Sequence, residues 1–285
     1  MKQVLLEQNT PEWMAYRRHH LGSSDASAIQ GIGFMTPNQL YLNKLGLWEP
    51  TITARMNRGH DLEGAARNLA MEMMGCELYP MCIEHDKRPW QSASLDGIDP
   101  AQSFIVEIKT GGAAALERAK NGIIPDYHYC QIQHQLEVSG LDRCVYFFFD
   151  GKDGYPIDVN RDTKYINQLN EAEERFWNNL QDFVPPALIG KDYESHETRE
   201  RISLAKEWLQ VSERLSRDEK LEKDLREKLI TEAGERNTVG GGVKILMSGR
   251  AGSVDYKAIP ELKGVDLDKY RKGAVKFFRV TRSQE

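Results

Sequence analysis

Two rhythms of apolar and polar residues run through this chain, the 3.6-residue period of helices and the two-residue period of strands. The helical rhythm comes first. Thr10-Pro11-Glu12 reads as a helix start, a capping hydroxyl followed by a proline whose missing N–H is harmless in the first turn. That helix runs through Trp13, Met14, Tyr16 and Arg17 and is predicted to stop near Gly22. Ser23-Ser24-Asp25 then caps a short helix, Ala26 to Gln30, and Thr36-Pro37 opens another that ends at Gly46. A longer helix, about Ala54 to Met74, places Leu62, Ala65, Ala66, Leu69 and Met73 on one face. Further on, Gly112 to Asn121 reads as helical, and Tyr127 to Ser139 is amphipathic, ending at Gly140. In that last helix Tyr129, Ile132 and Leu136 face inward, while His128, Gln131 and Gln135 share the other face.

The strand rhythm is clearest between Ser92 and Thr110, which read as two strands joined by a polar turn at Gly97, Asp99 and Pro100. Alternation sends Phe104, Val106 and Ile108 into one core, and Ile105, Glu107 and Lys109 to the opposite face. Asp96 lies across from Glu107 if the strands pair. Charges on an otherwise apolar strand are costly unless something uses them. Asp96, Glu107 and Lys109 together offer two hard oxygen ligands for Mg²⁺ with a cation beside them. The same residues also fit a plain surface ion pair between Glu107 and Lys109 on a half-exposed hairpin. The run Cys144-Val-Tyr-Phe-Phe-Phe-Asp150 reads as a strand buried on both faces.

Composition narrows the classes. The chain has 285 residues, 40% hydrophobic and 28% charged, ordinary for a globular protein. No apolar run approaches the roughly 18 residues of a membrane helix, and the N-terminus turns polar too soon for a secretory signal, so a cytosolic protein is expected. A net charge of −5 gives no bulk basicity toward nucleic acid; a local basic groove would have to serve. Cys76, Cys82, Cys130 and Cys144 lack zinc spacing, and none follows Cys144, which argues against a C-terminal iron–sulfur cluster.

Two further clusters carry chemistry. Ser24 at a helix start, with Arg17 near it, makes an anion site or an ordinary cap. Glu63 precedes Arg67 by four residues, which by itself makes a surface ion pair.

Asp96 followed by Glu107-x-Lys109 resembles the core of the PD-(D/E)xK nucleases. The wording Ala-Ser-Leu-Asp96-Gly with Val-Glu107-Ile-Lys109-Thr is similar to the lambda exonuclease (YqaJ-type) branch. Three more motifs match in order: Trp13-x-x-x-Arg17 through Ser24-Asp25, Gly59-x-x-x-Glu63-x-x-x-Arg67, and Gln131-Ile-Gln-His-Gln-Leu136. The resemblance spans roughly residues 8 to 190. It implies an α/β fold, a mixed central sheet flanked by helices, and Mg²⁺-dependent 5′–3′ digestion of linear duplex DNA. The 3′ single strands left behind would feed a strand-annealing recombinase. It implies Asp96, Glu107, the carbonyl of Ile108 and Glu63 as ligands of two Mg²⁺ ions, Mn²⁺ substituting, with Lys109 and Gln131 completing the catalytic set. Arg17, Ser24 and Ser94 would hold the 5′-phosphate. The family's loop arginine has no counterpart here, since Gly31 to Pro37 contains no basic residue. A ring-shaped homotrimer and a phage or prophage origin in a bacterial host also follow from the resemblance. Rival readings are a sequence- or structure-specific endonuclease on the same fold, and an inactive DNA-binding module.

The organisation predicted is a nuclease domain over residues 1–193, a helical segment over 194–236 and a β-rich appendage over 237–285. The helical segment reads as one long helix or a hairpin broken near Ser216-Arg-Asp, either packing on the core or meeting a partner. Gly240 to Gly242 reads as a hinge, Val243 to Met247 and Ser253 to Ile259 as a hairpin, and Val275 to Thr281 as a third strand. Arg250, Lys257, Lys272, Lys276 and Arg279 make this tail locally basic.

Overall fold

A computed structural model describes residues 1–51, 53–247, 259–260 and 265. The chain divides into two units, Met1–Tyr193 and Glu194–Glu285.

The first unit begins with β1 (Lys2–Val4), α1 (Pro11–Arg18), β2 (Leu21–Gly22), α2 (Ser23–Ile29), α3 (Pro37–Lys44) and α4 (Ala54–Met74). It continues with β3 (Tyr79–Glu84), β4 (Gln91–Ile98), β5 (Ile105–Thr110), α5 (Ala113–Lys120) and α6 (Asp126–Ser139). It closes with β6 (Arg143–Phe149), β7 (Gly154–Asn160) and α7 (Thr163–Gln181). The seven strands form one sheet in the order β1-β3-β4-β5-β6-β7, with β2 alongside β4 in parallel. β5 and β6 are parallel, from Ile105↔Cys144 to Thr110↔Phe149, and the other neighbours on the path are antiparallel. A parallel pair needs a crossover, supplied here by α5 and α6. This is the mixed, helix-flanked sheet expected from the motifs.

Both sheet faces are covered. Leu116 of α5 and Ile132 and Leu136 of α6 pack on Leu95, Ile105, Tyr146 and Phe148. On the other face Ala66 and Ala70 of α4 meet Val106, Ile108, Val145, Phe147 and Phe149. Alternate residues of β5 and β6 thus enter different cores, as an unbroken apolar strand requires. The buried stripe of α4 differs from the expected one. Ala65 is exposed and Met73 is half-exposed, while Ala66 and Ala70 are buried, because close approach of helix to sheet favours the smallest side chains.

Local capping sets the N-terminal helices. Thr10 accepts from the Trp13 N–H, and Thr36 and Gln39 form a reciprocal capping box around Pro37. α1 stops at Arg18, sooner than predicted, because Leu21 and Gly22 join the sheet. α2 starts at Ser23, with Gly22 as its cap, so Ser23 and Ser24 lie in the first turn. Gly31, Gly122 and Gly140 each follow a helix with φ of +72°, +74° and +72°, the left-handed conformation a glycine adopts without steric cost.

In the second unit α8 (Arg199–Ala233) runs 35 residues without a break. Ser216-Arg217-Asp218 holds no glycine or proline, so nothing there stops a helix. β8 (Thr238–Gly240) pairs with β9 (Val243–Ile245). Gly241 and Gly242, with φ of +53° and +81°, form the turn between them, so the expected hinge is a hairpin corner instead. Residues 248–252 between the two predicted hairpin strands, residues 253–258 of the predicted strand Ser253 to Ile259, and the predicted strand at 275–281 lie outside the described residues. Among those described, no helix is long and apolar enough to cross a membrane.

Candidate active site

β4 and β5 pair at Gly97↔Val106 and Ile98↔Ile105, which sets Asp96 level with Glu107 where the ladder ends. There the Asp96 carboxylate takes over from the backbone and accepts the Ile108 N–H at 2.8 Å. Glu107 is 1% exposed and its salt bridge to Lys109 measures 2.5 Å, so this is no surface ion pair. Gln131 donates to one Glu107 oxygen at 2.8 Å and Gln135 to the other at 2.5 Å. The polar face of α6 is therefore turned inward, onto a buried carboxylate, and away from solvent.

The charge balance favours protons or cations. Burial pushes the Asp96 carboxyl well above the usual carboxylate range, Glu107 beside it pushes the same way, and Lys109 offsets this only in part. Burial alone would lower Lys109, but Glu107 and Asp96 outweigh it and hold the ammonium above its ordinary pKa. Lys109 thus sets an ammonium against the Glu107 carboxylate, where it can orient a nucleophile or hold a phosphate oxygen.

Glu63, on α4, bonds to Arg67 at 2.5 Å, and Arg67 donates its Nε to the Asp96 carbonyl at 2.6 Å. Among the described residues no three His, Cys, Asp or Glu side chains are already gathered as a metal cage. Glu63 is turned onto Arg67, and Glu107 onto its glutamines and Lys109. The donor chemistry nevertheless fits a hard divalent cation. All donors are oxygens, and the buried Glu107 and half-buried Asp96 share one site, each raising the cost of charge on the other. The buried Oε1 of Gln135 also has no hydrogen-bond partner.

The anion-binding candidates converge on the same strand. Arg17 donates to Ser24 Oγ at 2.5 Å, and its guanidinium stacks 4.6 Å over the Trp13 ring. Trp13 Nε1 in turn donates to Ser94 Oγ at 2.9 Å. Beneath them Asp25 accepts the Gly22 N–H at 2.8 Å and pairs with Lys44 at 2.5 Å. Lys44 also caps the Arg17 and His20 carbonyls, each at 2.7 Å. Ser94 and Asp96 lie two residues apart on β4, Asp96 where the β3–β4 register slips.

Residues 12–142 match the YqaJ-like viral recombinase domain. It is the family the motifs pointed to. The uncharacterized protein YqaJ of Bacillus subtilis (strain 168) is 29% identical over 181 residues, 60% of this chain and 56% of that protein. The chain thus matches little more than half the length of that relative. The alkaline exonuclease LHK-Exo of Laribacter hongkongensis shares the fold at a TM-score of 0.54 and 23% identity, covering 61% of this chain and 94% of that one. A structure of LHK-Exo in complex with dAMP gives 0.55 and 22% over the same shares.

Within residues 12–142 the structure brings together Asp96, Glu107, Ile108, Lys109 and Gln131, and separately Arg17, Ser24 and, through Trp13, Ser94. Glu63 is tied to the Asp96 strand through Arg67, and its charge acts on Asp96 and Lys109. Sequence reading left three residues without a role. Gln135 lies one turn after Gln131, a spacing that signals a second partner for Glu107. Trp13 sits one turn before Arg17. Lys44 carries no local signal, since its contact with Asp25 is made by the fold.

Proposed function

We propose that the first unit is a Mg²⁺-dependent exodeoxyribonuclease that degrades linear duplex DNA from 5′ ends. The observation that carries this reading is the placement of an anion pocket and an acid–lysine cluster two residues apart on β4, at Ser94 and Asp96. A 5′-phosphate held by Arg17, Ser24 and Ser94 sets the next phosphodiester beside Asp96 and Glu107, which favours stepwise removal from an end. The match to the YqaJ-like viral recombinase domain supports it, and so does the fold shared with an alkaline exonuclease.

Asp96, Glu107, the Ile108 carbonyl and Glu63 would hold the cations, Mn²⁺ serving in place of Mg²⁺. When bound, such ions lower the pKa of water and neutralise charge on the phosphate. Lys109 orients the attacking water and balances the developing negative charge. Gln131 and Gln135 fix Glu107 in one orientation and exclude bulk water behind it. The 3′ single strands so produced would be the substrate of a strand-annealing recombinase. A homo-oligomeric ring would keep such an enzyme on its DNA.

A time course on linear duplex labelled at the 5′ or the 3′ end tests the reading. Release of the 5′ label first, dependent on Mg²⁺, with closed circular DNA left intact, is the expected result. Opening of the closed circle would make the protein an endonuclease. Binding without metal-dependent digestion would make it an inactive module.

A further inference from the structure

Arg67 makes two bonds that belong to two different elements. Its Nη2 holds Glu63 on α4 at 2.5 Å, and its Nε holds the backbone carbonyl of Asp96 on β4 at 2.6 Å. The second bond answers a local need. The β3–β4 register slips between Tyr79 and Met81, opposite Ile98 and Leu95, and Asp96 lies in the slipped stretch. It also lies just beyond the last β4–β5 pair, Gly97↔Val106. The strand carrying Asp96 is therefore weakly laddered on both sides, and Arg67 supplies a donor there. The side chains of Arg67 and Glu63 are 19% and 26% exposed, more enclosed than a solvent-facing pair. Both line a cleft of about 340 Å³.

An i,i+4 ion pair alone contributes a few tenths of a kcal/mol and has no use for a second acceptor. A planar guanidinium can serve both at fixed angles; an ammonium cannot. We propose that Arg67 is a positioning residue that locks α4 to β4, so that Glu63 and Asp96 are presented to a divalent cation in one frame. This rests on the nuclease reading above and assigns Arg67 no contact with substrate.

The test compares Mn²⁺ binding to the full chain by calorimetry for wild type, Arg67→Lys and Arg67→Ala, with folding checked by circular dichroism. Loss of an outer partner of a metal ligand typically weakens affinity about 10- to 100-fold. Both variants are expected to fall in that range, with raised Mn²⁺ restoring digestion and DNA affinity unchanged. Arg67→Lys keeps the stem and the charge, so it carries the test if the alanine variant does not fold. Charge alone predicts the opposite pattern, with lysine like wild type and alanine binding more tightly, and that pattern overturns the proposal. Unchanged Mn²⁺ affinity with lowered melting temperature would leave Arg67 a structural residue only. Unchanged Mn²⁺ affinity with weaker DNA binding and a shallower salt dependence would make it a phosphate contact. If wild type itself binds no Mn²⁺, the nuclease reading falls along with this one; if only the variants match wild type, the proposal alone falls.

Discussion

Glu107 shows how much of the site is settled one side chain at a time. A buried carboxylate costs several kcal/mol unless its oxygens are satisfied, and here Gln131, Gln135 and Lys109 all point at it. Removing the ammonium takes away the group that orients a nucleophile, so Lys109→Ala should lose at least about a hundredfold in DNA hydrolysis while still binding DNA. Near-normal digestion by the purified variant would sink the catalytic assignment. At the other cluster, Arg17 donates to Ser24 and lies 4.0 Å from the Asp25 carboxylate, and the proposed 5′-phosphate pocket is tested there. DNA with a 5′-phosphate should be digested faster than 5′-hydroxyl DNA, and Arg17→Ala should erase the difference. Equal rates for the wild type on both ends would assign the pocket another role, and the absence of a basic residue from 31 to 37 sharpens that question.

At the scale of elements, α6 joins the site to the rest of the first unit. His134, one turn from Gln131 and Gln135's neighbour, donates toward Glu173 of α7 at 2.7 Å and toward the Ser92 carbonyl of β4 at 2.9 Å. Both ring nitrogens face acceptors, so the ring satisfies both only as an imidazolium. Burial lowers its pKa, but Glu173 more than reverses this and the net shift is upward. A group with a raised folded pKa contributes stability that is complete below its unfolded value, about 6.5, and is lost as pH rises through the folded value. The melting-temperature advantage of wild type over His134→Gln should therefore shrink as the pH is raised from 6 to 9. A constant difference across that range would show that the pair does not titrate. Polar partners also explain how a glutamine-rich helix is buried: Glu107 of β5 takes Gln131 and Gln135, Asn160 of β7 and Asp162 take Gln133, and α7 and β4 take His134.

For the whole molecule, the division after Tyr193 predicts separability. Asp192 accepts from Thr36 and from the Ile189 N–H, so it belongs with the first unit, and a truncation should keep it. A chain ending at Tyr193 should fold and retain hydrolysis of short duplexes. It should bind long DNA less tightly and with a shallower salt dependence, since the cations at Arg250, Lys257, Lys272, Lys276 and Arg279 are gone. A folded truncation with unchanged salt dependence would remove the tail from DNA binding.

What could be read from the amino-acid sequence was local. Helix starts at Thr10 and Thr36, stops at Gly31 and Gly140, and the strand alternation around Glu107 depend on neighbours within a few residues, so order along the chain specifies them. The level of Asp96 with Glu107 followed from one turn between two adjacent strands. Tertiary structure decided the rest. β1 and β2, three and two residues long, are too short for any period and exist only because β3 and β4 offer free edges. Asp25 and Lys44, Trp13 and Ser94, and Arg67 with the Asp96 carbonyl are bonded across distances in sequence that no periodicity reports. Residue types and local spacing identified the chemistry, whereas partners far apart in sequence meet only when the apolar faces around them are buried together.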